Sequence, residues 1–192
     1  MKYIKHESYE AYAMQQTITN KAKLNNVWAT KNELVQIANW IKTNNIPIEL
    51  GICHGVRNGY EVKILKEILD TEIIGTEISD TATQFKNVIH WDFHDANPIW
   101  KNQVGFIYSN SWDHSYDFEK ALEVWMECLI KDGACFLEWS PAHTESGMNK
   151  ADCFGISKDE LINLINKKYT VTDVFAVNGK HDRVIIVVKN KD

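Results

Sequence analysis

The chain contains 192 residues, of which 44% are hydrophobic and 24% charged, a composition typical of one globular domain with a sizeable core. Its formal net charge of −5 and its lack of a Lys/Arg-rich block argue against nucleic acid as the partner. No apolar run reaches the roughly 18 residues of a membrane span, and residues 1–6 lack the apolar core of a signal peptide. The four cysteines form no Cys-x-x-Cys pair, so we expect a cytoplasmic protein with reduced thiols and no membrane contact.

Two helices are predicted at the start of the chain. The near-helical spacing of Tyr9, Tyr12 and Gln16 predicts a helix over about residues 3–23, and an amphipathic pattern predicts a second over about residues 32–42. We expect a single domain, in which an N-terminal helical cap of residues 1–44 precedes an α/β core of residues 45–192. The aromatic residues of the cap either line a lid over a pocket or pack against the edge of a sheet.

A buried strand, a glycine-rich turn and a helix are predicted next. The apolar run of residues 46–50 predicts the strand, and residues 60–69 have helical spacing of their apolar side chains. Gly51, Gly55 and Gly59 fall every four residues between them, which allows a tight turn and the close approach of a ligand. The free N–H groups at the start of the helix suit a phosphate or carboxylate group.

Two further predicted strands carry acidic residues at their ends. Glu77 lies near the tip of the strand of residues 72–78, 22 residues beyond Gly55, where a carboxylate is placed to accept hydrogen bonds from a ribose diol. The short strand of residues 87–93 ends in Asp92 and Phe93. Only residues 79–86 separate these strands, which is too few for a full helix.

The segment of residues 90–95 alternates imidazole and carboxylate groups. On a strand, His90, Asp92 and His94 would share one face. A metal site would still need a fourth ligand and an ordered second shell. We therefore predict no metal ligand in this segment and no metal cofactor.

Polar segments follow the fourth and fifth predicted strands, residues 104–109 and 134–139. The carboxyl ends of parallel strands are where ligands bind, which brings Asn110, Asp113 and His114 to the expected site. His114 has the pKa range of a general base, and Asp113 can orient it or hold a metal. His143, in the irregular loop of residues 140–155, is a second candidate base.

The last two strands are predicted over residues 169–177 and 183–188. Asn178-Gly179 between them is a hairpin signal, and a tight hairpin cannot cross over to a parallel neighbour. These two strands are therefore expected to be antiparallel.

Two sets of residues resemble one protein family. The order Glu49-x-Gly51-x-Cys53-x-Gly55 resembles motif I, Asp/Glu-x-Gly-x-Gly-x-Gly, of class I S-adenosylmethionine-dependent methyltransferases, with Cys53 at the middle glycine. Four later pieces resemble the type-11 subgroup of that family: Tyr108-Ser109, Asp113-His114, Ala121-Leu122-Glu-Val-Trp125 and Lys131-Asp-Gly133. The resemblance spans about residues 46–141.

The resemblance implies an α/β, doubly wound, mostly parallel seven-stranded sheet that ends in an antiparallel hairpin. It implies S-adenosyl-L-methionine as cofactor and methyl transfer to an O or N nucleophile of a small molecule. The cofactor-binding residues that it implies, together with those placed above, are Glu49, Gly51, Cys53, Gly55, Glu77, Asp92, Phe93 and Asn110. The candidate catalytic residues are His114, Asp113 and His143.

Two alternatives remain from the sequence. A nicotinamide-dependent oxidoreductase would share the glycine turn and Glu77, although Gly51 has no glycine two residues later as that fingerprint requires. A non-catalytic S-adenosylmethionine-binding protein would keep the cofactor residues and tolerate the loss of His114 and His143.

Overall fold

The structure, a computed structural model, describes residues 1–177 and 180–191, with the backbone alone for Lys180 and His181. Five helices and nine strands, named here in chain order, account for most of these residues. The helices are α1 Tyr9–Ala22, α2 Lys31–Thr43, α3 Tyr60–Leu69, α4 Phe118–Cys128 and α5 Lys158–Lys168. The strands are β1 Lys2–Tyr3, β2 Leu50–His54, β3 Glu72–Glu77, β4 Val88–His90, β5 Val104–Ser109, β6 Leu129–Trp139, β7 Phe154–Gly155, β8 Thr170–Val177 and β9 Lys180–Lys189.

Seven strands form one sheet in the order β4-β3-β2-β5-β6-β9-β8. The first five are mutually parallel, while β9 is antiparallel to both β6 and β8. The predicted α/β sheet of seven strands with a C-terminal antiparallel hairpin is therefore confirmed. The predicted turn at Asn178-Gly179 lies outside the described residues. None of the helices in the described ranges is long and apolar enough to cross a membrane.

Helices cover both faces of the sheet. On one face, α4 and α5 bury large side chains such as Trp125 and Leu161, and on the other α2 and α3 bury Leu34 and Leu65. Side-chain caps fix where two of these helices begin, because Thr30 and Ser157 each form a capping box with a glutamate three residues later. The two apolar layers hold the parallel strands rigid, and thereby hold the residues at their carboxyl ends.

The N-terminus differs from the prediction. The helix predicted from Tyr3 begins at Tyr9, with Ser8 as its N-cap, and the preceding β1 pairs with β7 in a separate two-stranded sheet. Tyr3 stacks on Phe154 with ring centroids 4.4 Å apart. This pairing joins residues about 150 positions apart, so no local pattern in residues 2–3 predicts it.

The first core strand is also displaced from its predicted place. The structure has β2 at Leu50–His54 instead of residues 46–50. The apolar run was misleading because Pro47 has no N–H to give to a ladder, and Ile46 donates its N–H back to Ile41 at the end of α2. Gly51 lies inside β2. Only glycine fits at this position, because a Cβ there would fall 2.3 Å from the ring of Phe106 on β5.

Candidate active site

Two adjoining cavities lie at the carboxyl ends of β2 to β5. The first cavity, of about 40 Å³, lies beneath α1 and is lined by Tyr12, Gln16, Asn20, Glu77, Asp92 and Phe93, among others. The second cavity, of about 170 Å³, is lined by Trp28, Glu61, Asn110, Asp113, His143 and Asp152, among others. Gly55, Arg57, Ser111 and His114 line both. The site predicted at this edge of the sheet is therefore a cleft in two parts.

The turn between β2 and α3 carries three left-handed residues at alternate positions: Gly55 (φ 71°), Arg57 (φ 48°) and Gly59 (φ 73°). A Cβ at Gly55 would lie 2.7 Å from the Cβ of Ser111, so both its backbone conformation and the available space favour glycine. The amides of Gly55 and Val56 donate to the carbonyl of Thr76. Motif I places glycines at alternate positions. In the structure these alternate positions of the turn are occupied by Gly55, Arg57 and Gly59.

This register corrects the binding turn predicted from the sequence. Glu49 is exposed at the opposite, amino end of β2, where its carbonyl accepts from Thr71 Oγ1. Gly51 and Cys53 are buried within β2 and line neither cavity. The prediction was wrong for these three residues because the strand starts four residues later than its apolar run suggested. Gly55 alone of that set borders the site.

Glu77 lies at the end of β3 with its carboxylate held in place by the backbone. Oε2 accepts from the amide of Arg57 at 2.9 Å and Oε1 from the amide of Ser79 at 3.1 Å. Burial raises its pKa, while these two hydrogen bonds and the charge of Arg57 act in the opposite direction. The side chain of Asn20 also hydrogen-bonds to Glu77, and since a carboxylate has about four acceptor sites, one remains for a hydroxyl group in the first cavity.

Asp92 follows β4, and contacts from Tyr9 and His94 leave one lone pair on its Oδ2. Oδ2 accepts from Tyr9 on α1 at 2.9 Å, and Oδ1 accepts from the amide of His94 and lies 2.6 Å from its Nδ1. Burial works against ionisation, but the hydrogen bonds and charge of His94 lower the pKa of Asp92 overall. The neighbouring Phe93 is buried and lines the first cavity.

Ser115, His94 and Asp92 form a hydrogen-bonded chain. Ser115 Oγ lies 2.6 Å from His94 Nε2 and also accepts from the amide of Asp117. Ser115 and His94 are fully buried, so no substrate reaches this hydroxyl. These hydrogen bonds therefore have a structural role and hold Asp92 in place. His90, predicted on the same face, is exposed and bonds to the carbonyl of Ile78 instead, because β4 ends at that residue.

Asn110, Asp113, His114 and His143 meet in the second cavity. Asp113 is buried, and its Oδ1 has no hydrogen-bond partner among the described residues. Burial raises the pKa of Asp113 to about 7. His114 Nδ1 lies 2.9 Å from Gln16 Oε1, and its Nε2 lies 3.1 Å from Asp152 Oδ1. The structure therefore brings the predicted acid-His pair together with Gln16 and Asp152, which the sequence analysis did not select.

His143 is held differently from His114. Its Nδ1 accepts from the amide of Ser140 at 2.9 Å, so Nε2 carries the proton of the neutral ring and points to the carbonyl of Asn110, 3.4 Å away. Its ring stacks on Trp112, and burial lowers its pKa. His143 is thus suited to donate a hydrogen bond, whereas His114 directs a ring nitrogen toward the carboxylates of the second cavity.

Helix α1 covers the first cavity with a polar stripe. Tyr9 donates to Asp92, Gln16 contacts His114, and Asn20 lies against Glu77 and accepts from Thr81. These contacts join α1 to the same side chains that face the cavity. A space of about 40 Å³ holds little more than a water molecule. The first cavity, in the conformation described, is therefore smaller than a nucleoside.

A buried ion-pair network supports the wall of the second cavity. Arg183 on β9 lies 2.7 Å from Glu33 on α2 and 3.0 Å from Glu138 on β6, and both carboxylates are fully buried. Trp28, in the cavity wall, donates to Glu138 at 2.7 Å. Tyr108 donates to Glu33. Burial raises the pKa of each glutamate, that of Glu138 to about 7.

No family model and no curated protein matches the chain by sequence. Solved structures match it by fold. A 1,6-didemethyltoxoflavin-N1-methyltransferase from Burkholderia thailandensis, with bound 1,6-didemethyltoxoflavin and S-adenosylhomocysteine, matches with TM-score 0.72 and 10% identity over 99% of this chain and 94% of that chain.

Two other likenesses agree with the first. A geranyl diphosphate C-methyltransferase from Streptomyces coelicolor A3(2), in complex with Mg²⁺, geranyl diphosphate and S-adenosyl-L-homocysteine, has TM-score 0.68 and 10% identity over 94% of this chain and 98% of that chain. A putative type 11 methyltransferase from Sulfolobus solfataricus has TM-score 0.56 and 18% identity over 75% of this chain and 85% of that chain. The chain therefore has the class I methyltransferase fold, which confirms the fold expected from the resemblance.

Proposed function

We propose that the protein binds S-adenosyl-L-methionine in the first cavity and transfers its methyl group to an O or N nucleophile of a small molecule in the second. The main support is the turn at Gly55, Arg57 and Gly59, which lies beside the backbone-held carboxylate of Glu77 in a class I methyltransferase fold. Neighbours of that fold contain bound S-adenosylhomocysteine.

The residues of the first cavity divide the work of binding. Glu77 accepts a hydrogen bond from a ribose hydroxyl, because its oxygens are fixed by two backbone amides and one acceptor site remains. Asp92 and Phe93 offer an acceptor and an apolar surface for the adenine. The amides of Gly55, Val56 and Arg57 already donate to β3, so the turn contributes close approach of its backbone and the positive end of the α3 dipole to the carboxylate of the methionine part. Asn110 closes the boundary with the second cavity.

The cofactor supplies the reactive methyl group on a sulfonium, so the protein's task is to hold the acceptor in line with it. His114 borders both cavities and is the candidate base for a hydroxyl or amine, while His143 and Asp113 hold the acceptor from the far side. A protonated O or N nucleophile fits this arrangement because it needs a partner for its proton. The volume of the second cavity, about 170 Å³, and the net charge of −5 favour a small molecule over nucleic acid.

Calorimetric titration with S-adenosylhomocysteine tests the proposal, with NAD as a parallel ligand. We expect binding in the micromolar range for the wild type and a loss of at least tenfold for Glu77→Gln. Glu72→Gln is the matched control, because Glu72 lies exposed at the opposite end of the same strand. Binding of NAD alone would favour the oxidoreductase. Binding of neither ligand, with both variants folded, would refute the proposed site.

A further inference from the structure

Three potential metal ligands converge at the second cavity. One carboxylate oxygen each from Asp113 and Asp152 and one ring nitrogen of His114 all lie within 4.8 Å of one another. At metal–ligand distances of about 2.1 Å, ligand atoms lie roughly 3 to 4 Å apart, so only a small side-chain adjustment separates this arrangement from a coordination site. The residues come from two different loops, which the fold brings together.

The tautomer of His114 can be read from its neighbours. Gln16 Nε2 donates to the carbonyl of Ala151 at 2.7 Å, so Gln16 turns its Oε1, an acceptor, toward His114 Nδ1 at 2.9 Å. Nδ1 therefore carries a proton. In the neutral ring, Nε2 then presents a lone pair to Asp152 Oδ1, 3.1 Å away. Two lone pairs at this distance repel each other unless a proton or a metal cation lies between them.

Asp113 provides an independent indication. It is more than nine-tenths buried, it lines the second cavity, and its Oδ1 has no hydrogen-bond partner among the described residues. The nearest ring nitrogen of His143 is 3.7 Å away, beyond hydrogen-bond distance. A buried carboxylate oxygen without a partner is costly, and a metal ion is one of the groups that compensate it.

The other side of the cluster is also ordered. Asp152 Oδ2 accepts from Asn149 Nδ2, which leaves Oδ1 directed at His114. His114 donates its one N–H, at Nδ1, to the Oε1 of Gln16, whose amide is itself anchored, and such an arrangement orients imidazole ligands in metal proteins. The cluster thus has an outer layer of hydrogen bonds that orients two of its three members.

We propose that Asp113 Oδ1, His114 Nε2 and Asp152 Oδ1 bind a divalent first-row transition cation, with its remaining positions open to the second cavity. Two carboxylates and one imidazole suit Mn²⁺, Fe²⁺ or Zn²⁺ better than Mg²⁺ or Ca²⁺, which prefer oxygen ligands alone. The site revises the prediction, from the sequence, that the protein has no metal. If the proposed methyl transfer holds, a metal-bound His114 no longer serves as the base, and the open metal positions instead bind the acceptor and favour its deprotonated form.

The test is calorimetric titration of the chelator-treated protein with Zn²⁺, Mn²⁺ and Mg²⁺. We expect one Zn²⁺ or Mn²⁺ per chain with at least tenfold weaker binding of Mg²⁺. Asp152→Asn and His114→Gln should each weaken binding at least tenfold, and both side chains are partly exposed, which makes loss of the fold a smaller concern than at Asp113. His90→Gln, an exposed histidine outside the cluster, should bind as the wild type.

Each outcome separates this site from the cofactor site. Absence of stoichiometric metal binding would overturn the proposal and leave a protonated His114 paired with Asp152 as the explanation of the cluster. Equal binding by the wild type and both cluster variants would overturn it as well, because the metal would then bind elsewhere. Titration of the wild type and Asp152→Asn with S-adenosylhomocysteine reports on the methyltransferase proposal alone, since Asp152 lines only the second cavity.

Discussion

Glu61, the second residue of α3, provides a quantitative test of burial in this fold. Its side chain is buried beside Asn110, whose Nδ2 is a distant 3.4 Å from Oε1, and Oε2 has no hydrogen-bond partner among the described residues. Burial raises the pKa of Glu61 from its ordinary value near 4.5 to about 7, and the hydrogen bonds from its own amide and Asn110 only partly oppose this. The charged form is therefore unfavourable in the folded protein.

The sign and size of the effect follow from linkage. Because the folded-state pKa is raised, the associated stability is fully present below about pH 4.5 and is lost as the pH rises through 7. Raising the pKa of Glu61 from 4.5 to about 7 corresponds to a free energy of about 3 kcal/mol, since each pH unit is worth about 1.36 kcal/mol. Glu61→Gln keeps the shape and cannot ionise, so its stability should match the wild type near pH 4.5 and exceed it by up to about 3 kcal/mol at pH 9.

Urea denaturation followed by tryptophan fluorescence between pH 4.5 and 9 measures this difference. For a chain of this size, about 3 kcal/mol corresponds to roughly 6 to 12 °C in Tm, which a thermal scan resolves. Glu67→Gln, on the exposed face of the same helix, is the control and should track the wild type at every pH. A Glu61→Gln variant that is less stable than the wild type at pH 9 would show that the charged form is well solvated or paired, and would refute the reasoning.

Two further variants test the supports of the site. Arg183→Met leaves two buried carboxylates without their cation and should lower the free energy of unfolding by about 3 to 5 kcal/mol at pH 8, and by less at pH 5. Lys168→Met, at an exposed ion pair, should lower it by under about 1 kcal/mol. Equal losses for the two variants in urea denaturation would contradict this. Tyr9→Phe frees Asp92 Oδ2 and should tighten the binding of S-adenosylhomocysteine up to about fivefold, as measured by calorimetry. Tyr169→Phe, remote from the cavities, should leave the affinity unchanged. Weaker binding by Tyr9→Phe would show instead that the hydroxyl contacts the ligand.

Local patterns predicted most of the core because its elements obey local rules. The strand ending at Glu77 and the helix Tyr60–Leu69 have the expected periodicity, and the Asn-Gly signal gave the correct direction of the last two strands. The start of β2 was not predicted correctly, because a strand containing Gly51 and Cys53 is determined by its packing against Phe106 rather than by its own hydrophobicity. Packing across the sheet decided that register, and Pro47 was the local sign against a strand at residues 46–50.

The site was predicted in part for a related reason. Glu77 and His114 are recognisable because each follows a strand whose carboxyl end must reach the same edge of the sheet. Asp152 lies 38 residues beyond His114 in an irregular loop, where the sequence gives no period and no motif. Only the folded loop brings its Oδ1 within 3.1 Å of the ring.

Helix α1 shows how a polar inner face connects the fold to function. Its buried side chains include Gln16 and Asn20, which an apolar stripe would exclude. They are buried because each has a partner at the site, His114 for Gln16 and the neighbourhood of Glu77 for Asn20. A helix held by hydrogen bonds can exchange them for equivalent bonds to a ligand at little net cost, whereas a helix held by apolar packing would have to expose that surface to water. The polar face of α1 thus supplies hydrogen-bonding groups to the same cavity in which we propose that the cofactor binds.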